Sequence, residues 1–350
     1  MSTKPTYTIA VTGLNAIDSP GSGLAVIKGL REAEGFDVRI IGFAYESMEP
    51  GVYMHHLVDK SYQVPYPNAG QDVLYERISY INSVESLDII IPNYDAELFN
   101  YIRIQQKLKT ELDISMVLPT EDQFEERQKS NLSDFGEKHG IQVPSAEMAF
   151  SMEEAKEIAS DLGFPVVVKG KFYDAKIAYT PTQVSQYFSQ IAAEWGMPII
   201  IQEFINGHEV NVCGIGNGKG DTLGAVPMKK IYVTDKGKAW SGVTLEDNEL
   251  LEICEDAVAS TKWNGPFEFE FMKTSEDKYY LLEINPRFPA WCYLAVGAGQ
   301  NQTATLIELA TGIKAEKLPA YVVGKMFIRH SDDMVIDMKE FETISTTGEL

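Results

Sequence analysis

The most informative segment of the chain reads Leu282-Glu283-Ile284-Asn285-Pro286-Arg287, and it closes a β-rich run. A second β-rich run, Gly265-Pro266-Phe267-Glu268-Phe269-Glu270-Phe271, precedes it. Side chains two residues apart on a strand point to the same face. Glu268 and Glu270 are therefore expected on one face, opposite the phenylalanines, and Glu283 and Asn285 on one face of the next strand.

If the short loop at 275–278 pairs these strands, carboxylate and amide oxygens converge on one patch. Such ligands suit Mg²⁺, which commonly binds through one or two carboxylates together with nucleotide phosphates. The alternative is a solvated face of an amphipathic hairpin, which is the usual explanation for an isolated pair of glutamates. This pair is not isolated, because Pro286 and Arg287 follow and lysines occur on buried strands upstream.

The segment Glu283-Ile284-Asn285-Pro286-Arg287 resembles the E-x-N-P-R signature of ATP-grasp enzymes. The resemblance covers nearly the whole chain and is nearest to the branch that contains carbamoyl-phosphate synthetase large subunits, biotin carboxylases and similar carboxylate–amine ligases. It implies a chain of α/β and α+β class. An N-terminal Rossmann-like (pre-ATP-grasp) domain would precede a two-lobed ATP-grasp fold with ATP between the lobes.

The resemblance assigns roles to the residues of the signature and its partner strand. Glu270 matches the first metal ligand, Glu283 the carboxylate that bridges two Mg²⁺ ions, and Asn285 the ligand of the second metal. Arg287 matches the arginine that steadies the transferred phosphoryl group, and a planar guanidinium grips phosphate with two hydrogen bonds. ATP and two Mg²⁺ ions are the implied cofactors, with Mn²⁺ as an alternative metal.

Two lysines resemble the phosphate-binding cations of this family. Lys169 follows the buried run Val166-Val167-Val168, where a charge is costly unless it meets a partner. Lys129 stands ahead of the turn at 140–144, although it can also be explained as a surface cation next to Arg127. Lys229 and Lys230 are further cations available to the site.

The segment Ile201-Gln202-Glu203-Phe204-Ile205 is similar to the hinge between the ATP-grasp lobes. The resemblance implies that Gln202 and the backbone of Glu203, Phe204 and Ile205 bind the adenine edge. Glu209 matches the acid that accepts the ribose hydroxyls. Relatives often have Glu where this chain has Gln202, and an amide can still pair with adenine.

One segment departs from the family pattern. Relatives carry a glycine-rich loop after the valine-lysine strand, and its backbone N–H groups cover the phosphates. The corresponding residues 170–179 contain one glycine. Either the side chains of Lys171 and Lys176 replace the missing backbone donors, or the loop is shorter and looser.

Helices are predicted to begin at the capping residues Ser151 and Thr180, and a further helix is predicted near 248–261. Alternating residues predict strands at 208–215, 267–272 and 278–284.

Strand and helix patterns also predict the domain order. Strands near Tyr7–Thr12, Phe36–Phe43 and Leu87–Pro92 alternate with helical patterns, which is typical of a parallel sheet. The glycines of the first loop do not form the G-x-G-x-x-G fingerprint, so we interpret them as turn and packing residues. The predicted domains are 1–119 (Rossmann-like), 120–205 (small lobe with a linking helix), 206–341 (catalytic lobe) and 342–350 (a loosely held polar tail).

Composition excludes some classes of function. The chain has 350 residues and a formal net charge of −21, which argues against phosphate-backbone binding and therefore against a nucleic-acid partner. The apolar runs are too short for a membrane helix, and the N-terminus lacks a signal pattern, so we expect a cytoplasmic protein without a membrane partner. Three widely spaced cysteines, Cys213, Cys254 and Cys292, are interpreted as core residues rather than catalytic thiols.

The resemblance implies an ATP- and Mg²⁺-dependent ligase that activates a carboxylate as an acylphosphate and joins it to an amine with release of ADP. The substrates are expected to be small molecules or peptides, and an amino acid or peptide is the expected source of the amine. A homodimer is left open as the assembly. Two alternatives also stay open: carboxyphosphate or carbamoyl-phosphate chemistry with bicarbonate, and a non-catalytic ATP-binding regulatory protein. Trp240 and Trp291 are expected either to line an acceptor pocket or to fill the core.

Overall fold

The computed structural model describes residues 4–17, 20–170, 174–234 and 237–350. Lys171, a predicted phosphate-binding residue, lies outside these ranges. The chain divides into two compact units. The first contains Met1–Glu121, Asn211–Glu268 and Asn285–Leu350, and the second contains Asp122–Val210 and Phe269–Ile284.

The described residues include fourteen strands and eleven α-helices. The strands are β1 (Thr6–Val11), β2 (Asp37–Ala44), β3 (Lys60–Gln63), β4 (Ile89–Ile91), β5 (Ala146–Ala149), β6 (Val166–Gly170), β7 (Ala175–Ala178), β8 (Ile199–Glu203), β9 (His208–Asn217), β10 (Thr222–Val233), β11 (Ala239–Thr244), β12 (Asn264–Lys273), β13 (Tyr279–Asn285) and β14 (Met326–Ile328). The helices are α1 (Gly23–Arg31), α2 (Gln71–Glu85), α3 (Asp95–Leu112), α4 (Glu121–Glu126), α5 (Leu132–His139), α6 (Met152–Leu162), α7 (Pro181–Trp195), α8 (Asn248–Thr261), α9 (Tyr293–Gly297), α10 (Gln302–Thr311) and α11 (Met338–Thr347).

The first unit begins with a parallel sheet of order β3-β2-β1-β4. Its central strands are almost wholly apolar, with Ile9 paired to Ile40 on one side and to Ile89 on the other. All three isoleucines are fully buried, as expected for a parallel sheet covered on both faces. The predicted Rossmann-like pattern is therefore confirmed. Strand β3, whose sequence Lys60-Ser61-Tyr62-Gln63 has little apolar content, was not predicted.

The loop after β1 depends on glycine. Gly13 has a φ of +79°, and a Cβ atom on Gly23 would lie 2.0 Å from the carbonyl oxygen of Thr12. The amide of Gly23 donates to the carbonyl of Gly13 at 3.0 Å. These glycines let the start of α1 pack directly against the end of β1, as the sequence analysis proposed.

A six-stranded sheet has the order β13-β12-β9-β10-β11-β14. The boundary between the two units falls inside β9, β12 and β13. The predicted strands at 208–215, 267–272 and 278–284 are present within slightly longer elements. Helix α8 has the predicted bounds of 248–261, and Asp247 caps it by accepting from the amide of Leu250.

The second unit contains an antiparallel sheet of order β5-β8-β6-β7, covered on one face by α6 and α7. Both helices begin at caps that the sequence predicts. Ser151 accepts from the amide of Glu154, and Thr180 accepts from the amide of Gln183. The side chains of Glu154 and Gln183 accept in return from the amides of Phe150 and Tyr179, each one residue before the cap.

The last residues of the chain are held more firmly than the sequence suggests. Residues 342–347 belong to α11, whose Ile344 is fully buried. The amide of Leu350 donates to the carbonyl of Ser61, and the amide of Ser61 donates to the carbonyl of Leu350. The predicted loosely held tail is thus paired with β3, because an apolar face of α11 and the free edge of β3 both gain partners.

Removing either cap should destabilise the protein. We expect Ser151→Ala and Thr180→Ala each to lower the free energy of unfolding by about 1 kcal/mol, because an amide at the helix start loses its acceptor. Urea unfolding followed by circular dichroism measures the change. Ser189→Ala, at an exposed position of α7, is the matched control, and equal effects in all three variants would contradict the capping explanation.

Candidate functional site

The sheet of the second unit has two different faces. Directly opposite residues of paired antiparallel strands share a face. The covered face is packed against α6 and α7 and carries buried aliphatic residues, which are Ala149, Val166, Val168, Ala178, Ile199 and Ile201. The opposite face, here called the open face, carries Val167 beside Gln202, Lys169 beside Ile200, and Ala146 beside Gln202.

A pocket lies on the open face within the second unit. Lys169, Ile200, Gln202 and Ala146 form its floor. The remaining lining residues come from the 3₁₀ turn and helix at 129–139, from the loop before β5 and from β13; they are Lys129, Leu132, Ser133, Pro144 and Leu282. The pocket combines two lysines and one side-chain amide with several apolar side chains, which is the general composition of small-molecule sites.

The two lysines meet carboxylates at this pocket. The ammonium of Lys129 lies 3.4 Å from a carboxylate oxygen of Glu283, so Lys129 is not the isolated surface cation that the sequence also allowed. Burial, followed by the nearby charge of Lys129, lowers the pKa of Lys169 from its ordinary value of 10.5 to about 8. The carboxylates of Glu283, Glu270 and Glu209 act on Lys169 in the opposite direction.

This cluster brings together five of the predicted site residues: Lys129, Lys169, Glu209, Glu270 and Glu283. They come from the 3₁₀ turn before α5 and from strands β6, β9, β12 and β13. The three carboxylates exceed the two ammonium groups by one negative charge. A polyanion would therefore need an accompanying cation to bind here, since like charges close together are costly.

The predicted hinge residues continue from the pocket floor. Gln202 is buried and lines the pocket. The backbone amide of Glu203 donates to the carbonyl of Ser145 at 2.8 Å, and its carboxylate accepts from the amide of Ser145. Ile205 is nearly buried. Phe204 is partly exposed. These contacts fix the chain where β8 ends.

Lys176 does not join the cluster. It lies opposite Val168, so its side chain is on the covered side of the sheet. Its ammonium donates to the side-chain oxygen of Gln190 on α7 at 2.9 Å and lies 5.3 Å from the Tyr187 ring centroid. This placement does not support the replacement of backbone donors by Lys176. The face of Lys176 is set by the register of β7 with β6, which the sequence pattern does not reveal.

The first unit contains a buried polar network around Glu268. The strand pattern predicted that Glu268 shares a face with Glu270, but the family resemblance gives it no role. Its carboxylate accepts from the side-chain amides of Asn211 and Asn285, each at 3.1 Å, and from the indole of Trp291 at 2.6 Å. Only 5% of Glu268 is exposed. A buried carboxylate is tolerable when several donors satisfy it. Glu268 thereby fixes the side chain of Asn285, a predicted metal ligand.

Arg287 belongs to the same network. Its Nε and one terminal nitrogen lie 3.0 and 2.9 Å from the carboxylate of Asp95, and the other terminal nitrogen lies 3.7 Å from Glu268. A terminal nitrogen also donates to the side-chain oxygen of Asn285 at 3.2 Å. The guanidinium is thus oriented by groups on both sides, which is the usual way to hold an arginine for recognition of a planar anion.

The remaining candidates are structural or stand apart. Cys213, Cys254 and Cys292 are buried and free, and burial raises the pKa of each thiol. A thiol of this kind is a poor nucleophile. Trp291 is buried on Glu268, while Trp240 is partly exposed.

In the described ranges, no group of three or more carboxylate, histidine or cysteine side chains is placed to hold an ion. The oxygen donors of Glu270, Glu283 and Asn285 nevertheless have the hard chemistry that Mg²⁺ prefers. None of the helices among the described residues is long and apolar enough to cross a membrane.

Comparison with known proteins identifies the fold. Residues 196–330 match the family model "ATP-grasp in the biosynthetic pathway with Ter operon". The structure superposes on a biotin carboxylase from Campylobacter jejuni with a TM-score of 0.69 and 18% identity, over 89% of this chain and 72% of that one. The chain has the ATP-grasp fold.

Two further proteins are similar to this ATP-grasp chain. The biotin carboxylase domain of 2-oxoglutarate carboxylase from Hydrogenobacter thermophilus, solved with MgADP and bicarbonate, gives a TM-score of 0.67 at 16% identity over 91% of this chain and 72% of that one. The carbamoyl phosphate synthase large chain of Thermoanaerobacter pseudethanolicus is 24% identical over 198 residues, 53% of this chain. The chain spans only 17% of that large chain.

Replacing Lys169 by an uncharged residue should stabilise the protein. The folded-state pKa of Lys169 lies below its ordinary value, so the unfolded state binds the proton more tightly and the charged lysine costs folding free energy below about pH 8. We expect Lys169→Met to raise the free energy of unfolding at pH 7 by about 2 kcal/mol.

The pH dependence tests the cause. The difference in the free energy of unfolding between Lys169→Met and the wild type should shrink as the pH rises from about 8 to 10.5. In this range Lys169 releases its proton when the wild type folds, and this release becomes more favourable as the pH rises. Urea unfolding at several pH values measures it. Lys176→Met, on the covered side of the same sheet, is the control. A difference that stays constant with pH would contradict the buried-charge explanation.

Glu268→Gln should destabilise the first unit. The substitution turns one acceptor oxygen into a donor that faces the amide and indole donors of the network, so we expect the free energy of unfolding to fall by about 2 kcal/mol. Thermal unfolding measures the effect. Glu276→Gln in the exposed loop before β13 should change it by less than about 0.5 kcal/mol. Equal stability of the two variants would count against the network.

Proposed function

We propose that this protein is an ATP-dependent ligase that activates a carboxylate as an acylphosphate and joins it to an amine. The observation that carries the proposal is the cluster of Lys129 and Lys169 with Glu209, Glu270 and Glu283 at a pocket on the open face. The ATP-grasp fold and the ADP-bound neighbour support it.

Lys129 and Lys169 are proposed to hold the phosphates of ATP. Burial lowers the pKa of Lys169 in spite of three nearby carboxylates, and a phosphate oxygen would add a further negative charge beside this ammonium. Lys129 would exchange part of its contact with Glu283 for the nucleotide. Gln202 and the backbone after β8 are proposed to bind adenine, and Glu209 the ribose hydroxyls.

Glu270, Glu283 and Asn285 are the proposed ligands of Mg²⁺. Two carboxylates and an amide are a suitable donor set when phosphate oxygens complete the coordination. A bound Mg²⁺ would neutralise charge on the phosphates that the acidic cluster otherwise repels. Two ions are proposed, with Mn²⁺ as an alternative metal. Titration of the ATP-bound protein with each metal counts the bound ions.

The chain's own residues then position the reactants. Arg287, oriented by Asp95 and Glu268, is proposed to steady the phosphoryl group during its transfer to the substrate carboxylate. The acylphosphate formed on the substrate is attacked by the amine, and phosphate leaves. No protein nucleophile is needed, because phosphoryl transfer of this kind depends on positioning and charge neutralisation.

Bicarbonate in place of an organic carboxylate is the second candidate. It is favoured by the neighbour solved with bicarbonate and by the similarity to a carbamoyl phosphate synthase. A non-catalytic ATP-binding role is the third, and it is motivated by the single glycine in residues 170–179. The cytoplasm is the proposed location, since its reducing conditions keep buried thiols free.

The deciding experiment measures ADP release from ATP and Mg²⁺ with pooled amino acids and short peptides, and with bicarbonate in a separate arm. We expect one organic pool to stimulate release, and Glu283→Gln to abolish the stimulation because it removes a ligand charge without changing volume. Glu276→Gln should behave as the wild type. Stimulation only by bicarbonate would select the second candidate, and ATP binding without turnover in any arm would select the third.

Glu209→Ala should mainly weaken nucleotide binding. The loss of a carboxylate that accepts from the ribose hydroxyls is expected to lower ATP affinity by about tenfold, with little change in the maximal rate at saturating ATP. Calorimetry gives the affinity and steady-state kinetics give the rate. An unchanged affinity would remove the ribose role from Glu209.

A further inference from the structure

A second group of ionisable side chains lies in the first unit, at the carboxyl edge of the parallel sheet. We call it the tyrosine–glutamate patch, and its residues are Tyr45, Glu46, Glu49, Tyr66, Tyr94 and Glu97. Tyr45, Glu46 and Glu49 follow β2, Tyr66 follows β3, Tyr94 lies between β4 and α3, and Glu97 is in the first turn of α3. In the order β3-β2-β1-β4 the chain passes from β1 to β2 on one side and later places β4 on the other side of β1, and ligands of open α/β sheets bind outside the carboxyl ends of strands near such a point.

Glu97 is the fixed centre of the patch. It is 1% exposed. Its carboxylate accepts from the amides of Asn93 and Tyr94 at 2.7 and 3.0 Å, and also from the hydroxyls of Thr12 and Tyr45. Both carboxylate oxygens are therefore satisfied, and Glu97 holds Tyr45 in one orientation.

Glu49 differs from Glu97, because only one of its two carboxylate oxygens accepts a hydrogen bond within the described residues. One oxygen accepts from the amides of Tyr45 and Glu46 at 2.6 and 3.2 Å. The other oxygen is buried and makes no hydrogen bond to any residue in the described ranges. Glu49 is only 8% exposed. An unpartnered buried carboxylate oxygen is costly, so a donor from outside the protein would be stabilised there.

The tyrosines form an aromatic wall beside this carboxylate. The rings of Tyr45 and Tyr66 are stacked with centroids 5.5 Å apart, and those of Tyr45 and Tyr94 are 5.9 Å apart. Burial raises the pKa of Tyr45 and of Tyr94. The charge of Glu97 is the next cause for Tyr45, and the charge of Glu49 is the next cause for Tyr94. The tyrosine hydroxyls therefore stay protonated, and Tyr66 remains half exposed.

The patch contains three glutamates without a matching cation. Burial raises the pKa of Glu49 and of Glu97, and a cation bound at Glu49 would favour its ionised form. Within the described residues, no lysine or arginine forms an ion pair with Glu46, Glu49 or Glu97. Aromatic faces together with carboxylates attract a positively charged group, which gains both cation–π and charge-assisted contacts. An anionic ligand would instead be repelled.

We infer that the tyrosine–glutamate patch is a binding site for an alkylammonium group, with the free oxygen of Glu49 accepting from the N–H donors and the rings of Tyr45, Tyr66 and Tyr94 lining it. If the protein is the proposed ligase, and in that respect the inference rests on the proposed function, the ammonium belongs to the amine-bearing substrate. The substrate class is then a cationic amine rather than an amide or an alcohol.

The test uses n-butylammonium chloride as the probe and n-butanol as its neutral counterpart. The full chain, labelled with ¹⁵N and free of ATP, is titrated at constant chloride and followed by NMR. We expect saturable binding of n-butylammonium and none of n-butanol. Glu49→Gln should weaken the binding by about tenfold, since it removes a charged acceptor. Tyr66→Ser, an exposed change, should weaken it by about threefold.

Glu111→Gln is the control for the loss of a glutamate charge, because Glu111 lies outside the patch, where it accepts from the hydroxyl of Tyr75. It should bind n-butylammonium as the wild type does. If Glu49→Gln does not fold by circular dichroism, Tyr66→Ser decides. No saturable binding to the wild type, equal binding of n-butanol, or unchanged affinity in the folded patch variants would overturn the inference.

ADP release separates this inference from the ligase proposal. Binding of n-butylammonium without turnover in any arm of the ADP assay would leave the site standing and remove the ligase. Turnover with an organic pool but no binding of n-butylammonium would support the ligase and overturn the ammonium site.

Discussion

The charge of Lys169 is the constraint on which the candidate site depends. An ammonium group enclosed beside a second lysine is unfavourable, and three carboxylates compensate for it only in part, because the pKa of Lys169 is still lowered to about 8. These carboxylates come from β9, β12 and β13, while the lysine comes from β6. Such an arrangement costs folding free energy, and under the proposed function a ligand that carries negative phosphates and a metal ion would recover part of it.

A second buried charge, that of Glu268, is satisfied in a different way. Its donors are two side-chain amides, an indole and a distant guanidinium, so little is left for a ligand to add. We interpret Glu268 as a residue that orients Asn285 and Arg287 rather than one that meets the substrate. The contrast with Glu49, which has an unused buried oxygen, shows that burial of a carboxylate does not by itself indicate its role. The number of unsatisfied oxygens does.

Much of the local structure could be predicted. Helix α8 has the predicted bounds, and the caps at Ser151 and Thr180 are present, because caps and periodicity depend on residues within a few positions of each other. The cluster of two lysines with Glu209, Glu270 and Glu283 was also anticipated. Strand β3 and the pairing of Leu350 with Ser61 were not, since a short polar strand forms only when a distant edge supplies its hydrogen bonds.

The sequence by itself determined the fold class, the signature at 283–287 and the types of side chain available for phosphate and metal. Tertiary structure decided which of them meet. The register of β6 with β7 turned Lys176 towards α7, while the register of β6 with β8 left Lys169 on the open face. A shift of β7 by one residue would have placed Lys176 on the open face as well. Long-range folding also joined residues 1–121 with 211–268 and 285–350 in one unit. Contacts between residues so far apart depend on complementary packing, which no local pattern records.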